Sequence, residues 1–317
     1  MNILDFAEIE SLLSKGQNST VYKAWHTRLE KHVTIKEQKY SDKTELEINR
    51  NEVESLKNIK SNYLPIVYDF LVCEDKSYTI LEFINGLSMD KLIQKGRKFT
   101  VSQITKWYRQ LAVALKVIHE KNIYHRDIKP GNIILTSGGK NPAKIMGSGF
   151  LESSDICLID FNAAYVKGCE HRQCSRSIGY ASPEQLKIFK AYQTASIRHL
   201  RGDETQLLER DCRTELLREN KEHTTINQID WARSDIYSLG ATMLHLLTGT
   251  RQPNPSKYAK RVRPDTMLSK IIEKSMRTNP EKRFSGAKQL YNALCDIEKS
   301  GNKSAQQKTV MTILESR

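Results

Sequence analysis

Tyr124-His125-Arg126-Asp127-Ile128-Lys129-Pro130-Gly131-Asn132 decides how the whole chain is read. An Asp, a Lys two residues on and an Asn five residues on lie in one tight loop, because the intervening Pro-Gly breaks regular structure. The Asp can accept or orient a hydroxyl proton, the Lys can neutralise a transferring phosphoryl group, and the Asn oxygen can bind a hard cation. Thirty-three residues beyond Asp127, Leu158-Ile159-Asp160-Phe161-Asn162 offers a second carboxylate at the end of an apolar strand. Two oxygen ligands of this kind suit magnesium, which takes a few carboxylate or amide contacts and completes its shell with phosphate oxygens.

Outward from that loop the chain divides. Val21 to Ala24, His32 to Lys36 and Tyr78 to Phe83 read as strands, and Thr44 to Lys60 reads as a charged helix with one narrow apolar stripe of Leu46, Val53, Leu56 and Ile59. After Asn85-Gly86 the character becomes helical: Ile104, Trp107, Tyr108, Leu111, Leu115 and Ile118 fall on one helical face. The expectation is an α+β, two-lobed fold. It has a small β-rich N-terminal lobe with one main helix (1–84) and a larger, mainly α-helical C-terminal lobe (85–298), followed by a polar tail (299–317). Two stretches depart from the regular pattern. Ser137 to Asp155, rich in Gly, Ser, Asn and Pro, reads as a loop insertion. Gln185 to Gln228 is long and charged, with Leu208, Cys212 and Leu216 spaced as on an amphipathic helix.

Composition excludes several classes. The 317 residues are 38% hydrophobic and 27% charged, a globular rather than disordered balance. The longest apolar stretches, such as Gly240 to Leu247, are too short to span a bilayer, so no transmembrane segment is expected. Acids interrupt the run from Met1 to Glu10, which therefore does not read as a signal peptide. Six scattered cysteines favour a reducing, cytoplasmic setting. The net charge of +13 raises the question of an anionic partner. It is concentrated from Arg251 to Arg283, where ten Lys/Arg face three acids. Without aromatic interleaving that run reads as solvated surface, and no nucleic acid is expected.

The nine-residue loop is the full catalytic-loop signature of the eukaryotic-like protein kinases, in the version found widely in bacteria, and the chain resembles that family from about residue 8 to about residue 298. The resemblance implies a serine/threonine protein kinase using ATP and magnesium on a protein Ser or Thr hydroxyl. It makes Asp127 the catalytic base and Lys129 the γ-phosphate contact, and gives magnesium to Asn132 and Asp160. It also makes Arg126 the reader of a phosphorylated activation segment and His125 a buried hydrogen-bonder. Val33-Thr34-Ile35-Lys36 resembles the strand that carries the α/β-phosphate lysine, Lys36. Its expected helix partner is Glu52, from Glu52-Val53-Glu54-Ser55-Leu56, with Glu45, Glu47 and Glu54 open as alternatives. Val21 above and Ile134 below the adenine ring, Glu82 to Ile84 as hinge and Leu81 as gatekeeper complete the nucleotide site. Gly179-Tyr180-Ala181-Ser182-Pro183-Glu184 resembles the end of the activation segment, Asp235 the anchor of the catalytic loop, and Arg283 the partner of Glu184.

Three departures from the family pattern bear on activity. The phosphate loop, Ser14-Lys15-Gly16-Gln17-Asn18-Ser19, keeps only Gly16 of three glycines, and Ser14 and Ser19 add bulk where backbone amides approach phosphate. Asn162 replaces the glycine after Asp160-Phe161, where its tolerance of positive φ could preserve the turn. Thr34 replaces the alanine that packs on adenine. The alternative to an active enzyme is a catalytically weak or silent binding scaffold. In the activation segment, Ser177 matches the family threonine that contacts Asp127 and Lys129, and Ser175 is a candidate autophosphorylation site flanked by Arg172 and Arg176. Cys169, His171 and Cys174 offer three soft metal donors without a fourth, so free thiols are the default reading there.

Overall fold

A computed structural model describes residues 6–16, 19–136, 148–167, 177–190, 228–251 and 267–297. The N-terminal part is a five-stranded antiparallel sheet in the order β1-β2-β3-β5-β4. Its strands are β1 (Ala7–Lys15), β2 (Ser19–His26), β3 (Lys31–Lys39), β4 (Val67–Cys73) and β5 (Lys76–Glu82). Helix α1 (Lys43–Lys57) lies against it, started by the Asp42 side chain accepting from the Glu45 N–H and ended at Asn58. Ala24, Val33, Ile35 and Ile80 are buried at 1% exposure or less and form this lobe's own small core with Phe6 and Ala7.

Two elements were not legible as strands. In β1 only Ala7 is buried and every later residue is exposed, so no alternation marks it. In β4 the burial is mixed, and its register shifts between Val67 and Asp69.

Beyond the sheet, β6 (Gly86–Ser88), β8 (Ile133–Thr136) and β9 (Ile156–Leu158) form a three-stranded antiparallel layer. Gly86 is required there. A Cβ on it would stand 2.1 Å from the Leu135 carbonyl oxygen and 2.6 Å from Ile134 Cγ2. The short α2 (Met89–Gln94) follows, then α3 (Val101–His119), whose start is a capping box between Thr100 and Gln103. All six residues expected on the α3 face are 0% exposed. They pack with Ile236, Leu239, Met243 and Leu244 of the helix Trp231–Thr248 and with the helix Met267–Ser275, forming the larger core.

The stretch 137–155 is not wholly loop. Helix α4 (Ser148–Ser153) buries Leu151 against the core, and the Ser154 carbonyl accepts from Trp107 Nε1 at 3.2 Å and Lys106 Nζ at 2.9 Å. A helix also runs over 183–190, so Gln185 belongs to the core rather than to an insertion: it is 0% exposed and its Nε2 donates to the Arg126 carbonyl at 2.7 Å. Residues 191–227, with the expected amphipathic helix, and the tail 299–317 lie outside the described residues, as do Ser175, Arg172, Arg176, Cys169, His171 and Cys174. Among the described residues no helix is long and apolar enough to cross a membrane, and no group of three His, Cys, Asp or Glu is arranged to hold a metal.

Candidate active site

The catalytic-loop residues sit between β7 (Ile123–Tyr124) and β8, and the buried Asp235 of the helix Trp231–Thr248 holds their backbone. Its carboxylate accepts from the N–H of His125 and of Arg126, both at 2.8 Å, and lies 3.0 Å from His119 Nε2. The backbone there is in the left-handed region at Arg126, with φ 61°, and again at Asp160, with φ 67°. Such positions cost free energy in non-glycine residues and persist where the surroundings over-determine them. The positive φ falls on Asp160 and not on Asn162, so the glycine that Asn162 replaces is not needed here for backbone freedom. His125 is fully buried, with Nε2 3.1 Å from the Ile159 carbonyl and its ring 4.7 Å from Phe161.

Asp127 is the meeting point. Lys129 Nζ donates to its Oδ2 at 2.6 Å, the Ser177 hydroxyl donates to its Oδ1 at 2.5 Å, and Lys129 Nζ reaches the Ser177 oxygen at 3.1 Å. Asn132 Nδ2 donates to the Asp127 carbonyl at 2.9 Å and to Oδ2 at 3.2 Å. With its amide nitrogen engaged on Asp127, Asn132 keeps its oxygen for another partner.

Above this loop a cleft of about 650 Å³ separates the sheet from the helical part. Ser14, Gly16, Ser19 and Val21 line its roof, together with Thr34 and Lys36 of β3. Glu82 and Ile84 line it where the chain leaves β5, and Asn132, Ile134 and Asp160 line it from below. The residues expected to hold nucleotide and magnesium, from positions 14 to 160, therefore share one cavity, whereas Asp127 and Lys129 are not among its lining residues. Lys36 Nζ lies 3.8 Å from Glu52 Oε1, with both side chains 10% exposed, so of the four candidate glutamates geometry selects Glu52. Glu54 instead pairs with Lys57, and Glu45 accepts from Ser41 at the helix start. The turn between β1 and β2 closes through the Gly16 N–H on the Ser19 carbonyl at 2.8 Å. Glu82 is pinned from both sides, its N–H on the Ile66 carbonyl at 2.8 Å and its carboxylate on the Ile66 N–H at 3.1 Å.

Arg126 does not stand open as an anion reader. It is 1% exposed, its Nε donates to the Ala163 carbonyl at 2.5 Å, and its guanidinium lies 5.0 Å from the Trp231 ring and 5.7 Å from the Tyr165 ring. Sequence reasoning missed this enclosure, although a tryptophan four residues before Asp235 was visible. It also missed the hydrogen bond between Tyr180 Oη and His245 Nδ1 at 2.7 Å. Burial raises the Tyr180 hydroxyl to about 12 and lowers His245 below its ordinary value. The Glu184–Arg283 pair forms as expected, with bonds of 2.6 and 2.9 Å.

Comparison with known proteins agrees with this geometry. The family model described as Protein kinase domain matches residues 7–197. The chain is 25% identical over 310 residues to a probable serine/threonine-protein kinase of Clostridium acetobutylicum, covering 92% of this chain and 40% of that protein. It is 25% identical over 336 residues to serine/threonine-protein kinase D of Synechocystis, covering 96% of this chain and 55% of the relative. It is 33% identical over 152 residues to the human serine/threonine-protein kinase ULK3, covering 47% and 32%. The chain thus spans less than two thirds of the length of these relatives. The cleft, the Asp127 cluster and the match across more than half of the sequence make this chain a member of the protein kinase domain family.

Proposed function

We propose that this chain transfers the γ-phosphoryl group of ATP to a serine or threonine hydroxyl of a protein. The observation that carries the reading is the Ser177 hydroxyl on Asp127 Oδ1 beside Lys129, because it is an alcohol held by a carboxylate next to a cation. An acceptor hydroxyl bonded to Asp127 in the same way is oriented for in-line attack, and Asp127 takes its proton as the new P–O bond forms. Lys129, one third exposed and bonded to Asp127, balances charge on the moving phosphoryl. Lys36, fixed by Glu52, holds the nucleotide phosphates from the roof of the cleft.

The donor set fits magnesium: the Asn132 oxygen and the Asp160 carboxylate are hard ligands that line one cavity, as two protein ligands suffice when phosphate oxygens complete the shell. Magnesium held there would neutralise charge on the β- and γ-phosphoryl oxygens. Val21, Thr34 and Ile134 would sandwich the adenine, the Glu82 to Ile84 backbone would pair with its edge, and Ser14, Gly16 and Ser19 would cover the phosphates. A cytoplasmic setting fits a substrate pool of ATP and protein hydroxyls.

The alternative, a binding scaffold with weak or absent catalysis, draws on the phosphate loop, where Ser14 and Ser19 line the cleft in place of glycines. Incubation with γ-labelled ATP and a general protein substrate decides. The intact chain is expected to incorporate label, and Asp127→Asn is expected to lose transfer by at least about 10³-fold while binding ATP within about threefold of the original. An undiminished rate in Asp127→Asn, or no label from the intact chain, overturns the reading.

A further inference from the structure

One helix holds both sides of the acceptor position. Asp235 of the helix Trp231–Thr248 grips the backbone of the loop that presents Asp127. Farther along the same helix, at a rise of about 15 Å, His245 meets the segment that presents Ser177. Its Nδ1 lies 2.7 Å from the Tyr180 hydroxyl, the two rings are 6.1 Å apart, and both residues are 7% exposed. Tyr180 is tied to Ser177 through the backbone, since the N–H groups of Tyr180 and Ala181 both donate to the Ser177 carbonyl, at 2.9 and 3.0 Å. The Ser177 hydroxyl in turn rests on Asp127 Oδ1 at 2.5 Å, beside Lys129. Another bond between helix and segment joins Ser182 Oγ to Ser234 Oγ at 2.8 Å. Two hydroxyls carry no charge that changes near neutral pH, whereas an imidazole does.

Burial keeps the Tyr180 hydroxyl protonated and disfavours charge on His245. The hydroxyl therefore donates to a neutral ring whose own proton sits on Nε2. Two charged side chains act on that ring, Asp90 from the start of α2 and Arg251 from beyond the helix end; they oppose each other, and burial outweighs both. A proton on Nδ1 would remove the acceptor. The hydroxyl hydrogen has no second acceptor among the described residues, and a charge would be left in a buried site.

We infer that His245 is a positioning residue for phosphoryl transfer: while uncharged it accepts the Tyr180 hydroxyl and so fixes the turn that seats Ser177 on Asp127, and a proton on it releases that turn and slows transfer. This rests on the phosphoryl-transfer reading above and adds a regulation of the same site by pH. His245 does not line the cleft, so its effect falls on kcat and not on KM for ATP.

The test uses the full chain with ATP, magnesium and a general protein substrate, and reads kcat and KM for ATP from about pH 7.5 down to about pH 5. In the original chain kcat should fall about threefold over the acid half of that range, with KM for ATP little changed. Tyr180→Phe keeps the buried ring and drops the hydroxyl; its kcat should be about tenfold lower at neutral pH, with the acid limb flattened. His245→Leu should behave alike. His245→Asn, whose amide oxygen can stand where Nδ1 stood, should recover most of that loss without recovering the acid limb. Urea midpoints at neutral pH report whether each variant is folded, and Tyr180→Phe decides where His245→Leu is not. An acid limb identical in the original chain, His245→Asn and Tyr180→Phe, or an unchanged kcat in Tyr180→Phe, overturns the positioning role and leaves phosphoryl transfer standing. No label transferred by the original chain at any pH removes the transfer reading and this inference with it.

Discussion

Replacing Glu184 by Gln tests a largely buried ion pair. Arg283 has a 0% exposed side chain and Glu184 a 14% exposed one, and the two are joined by parallel bonds of 2.6 and 2.9 Å. Removing one partner of such a pair costs about 3–5 kcal/mol, because the remaining charge stays buried. Here the stranded guanidinium keeps the carbonyls of Arg277 at 2.7 Å, Arg233 at 3.0 Å and Thr278 at 3.3 Å, and it lies 5.0 Å from the Tyr237 ring. Those contacts place the cost at the bottom of the range, about 3 kcal/mol. Thermal unfolding should show a drop in Tm of about 6–12 °C for a structure of this size. Arg283→Met is expected to cost about 2 kcal/mol, because the lone carboxylate can turn toward water. The double variant should cost clearly less than the sum, since no buried charge is left. A loss under about 1 kcal/mol for Glu184→Gln, or strict additivity in the double variant, refutes the reasoning.

Two further outcomes follow from packing and titration. Gly86→Ala forces a methyl into the Leu135 backbone, so it should destabilise by about 2–3 kcal/mol in urea unfolding, whereas Gly286→Ala, with open space and no positive φ, should be tolerated within about 0.5 kcal/mol. His245 and His26 are both held below their ordinary value of 6.5 by burial. The unfolded chain therefore takes up protons first as pH falls below 6.5, and stability declines through that window, with no contribution from these two histidines above it. The window lies above the range in which Glu10 and Glu281, both held low by their basic partners, begin to protonate. His245→Asn should lessen the decline between pH 6.5 and 5, read from urea midpoints at each pH.

Local rules carried the catalytic loop, because Asp127, Lys129 and Asn132 lie within six residues and a Pro-Gly turn fixes how they face one another. The α3 face was equally legible, since its apolar spacing is uninterrupted and every expected residue is buried. The choice of Glu52 among four glutamates needed the third dimension: all four sit on or beside one helix, and only the packing of α1 on the sheet brings one of them to Lys36. β1 stayed hidden because an exposed strand has no burial pattern to betray it. The enclosure of Arg126 could not be read locally either, for Tyr165 and Trp231 lie 39 and 105 residues away in sequence; Tyr165 arrives by pairing of residues 165–166 with 123–124, and Trp231 on the helix whose Asp235 grips the loop.

The attachment of the loop to Asp235 also separates two kinds of motion. Both amides gripped by that carboxylate belong to the loop that presents Asp127, so the acceptor side inherits the stiffness of the largest helix cluster. The roof of the cleft, by contrast, hangs on a sheet whose outermost strand is almost wholly in water. On the function proposed above, nucleotide exchange proceeds by breathing of that upper sheet while the acceptor's seat stays still, and substitutions at His119, which does not line the cleft, should blur the aim of the reaction without loosening the grip on nucleotide.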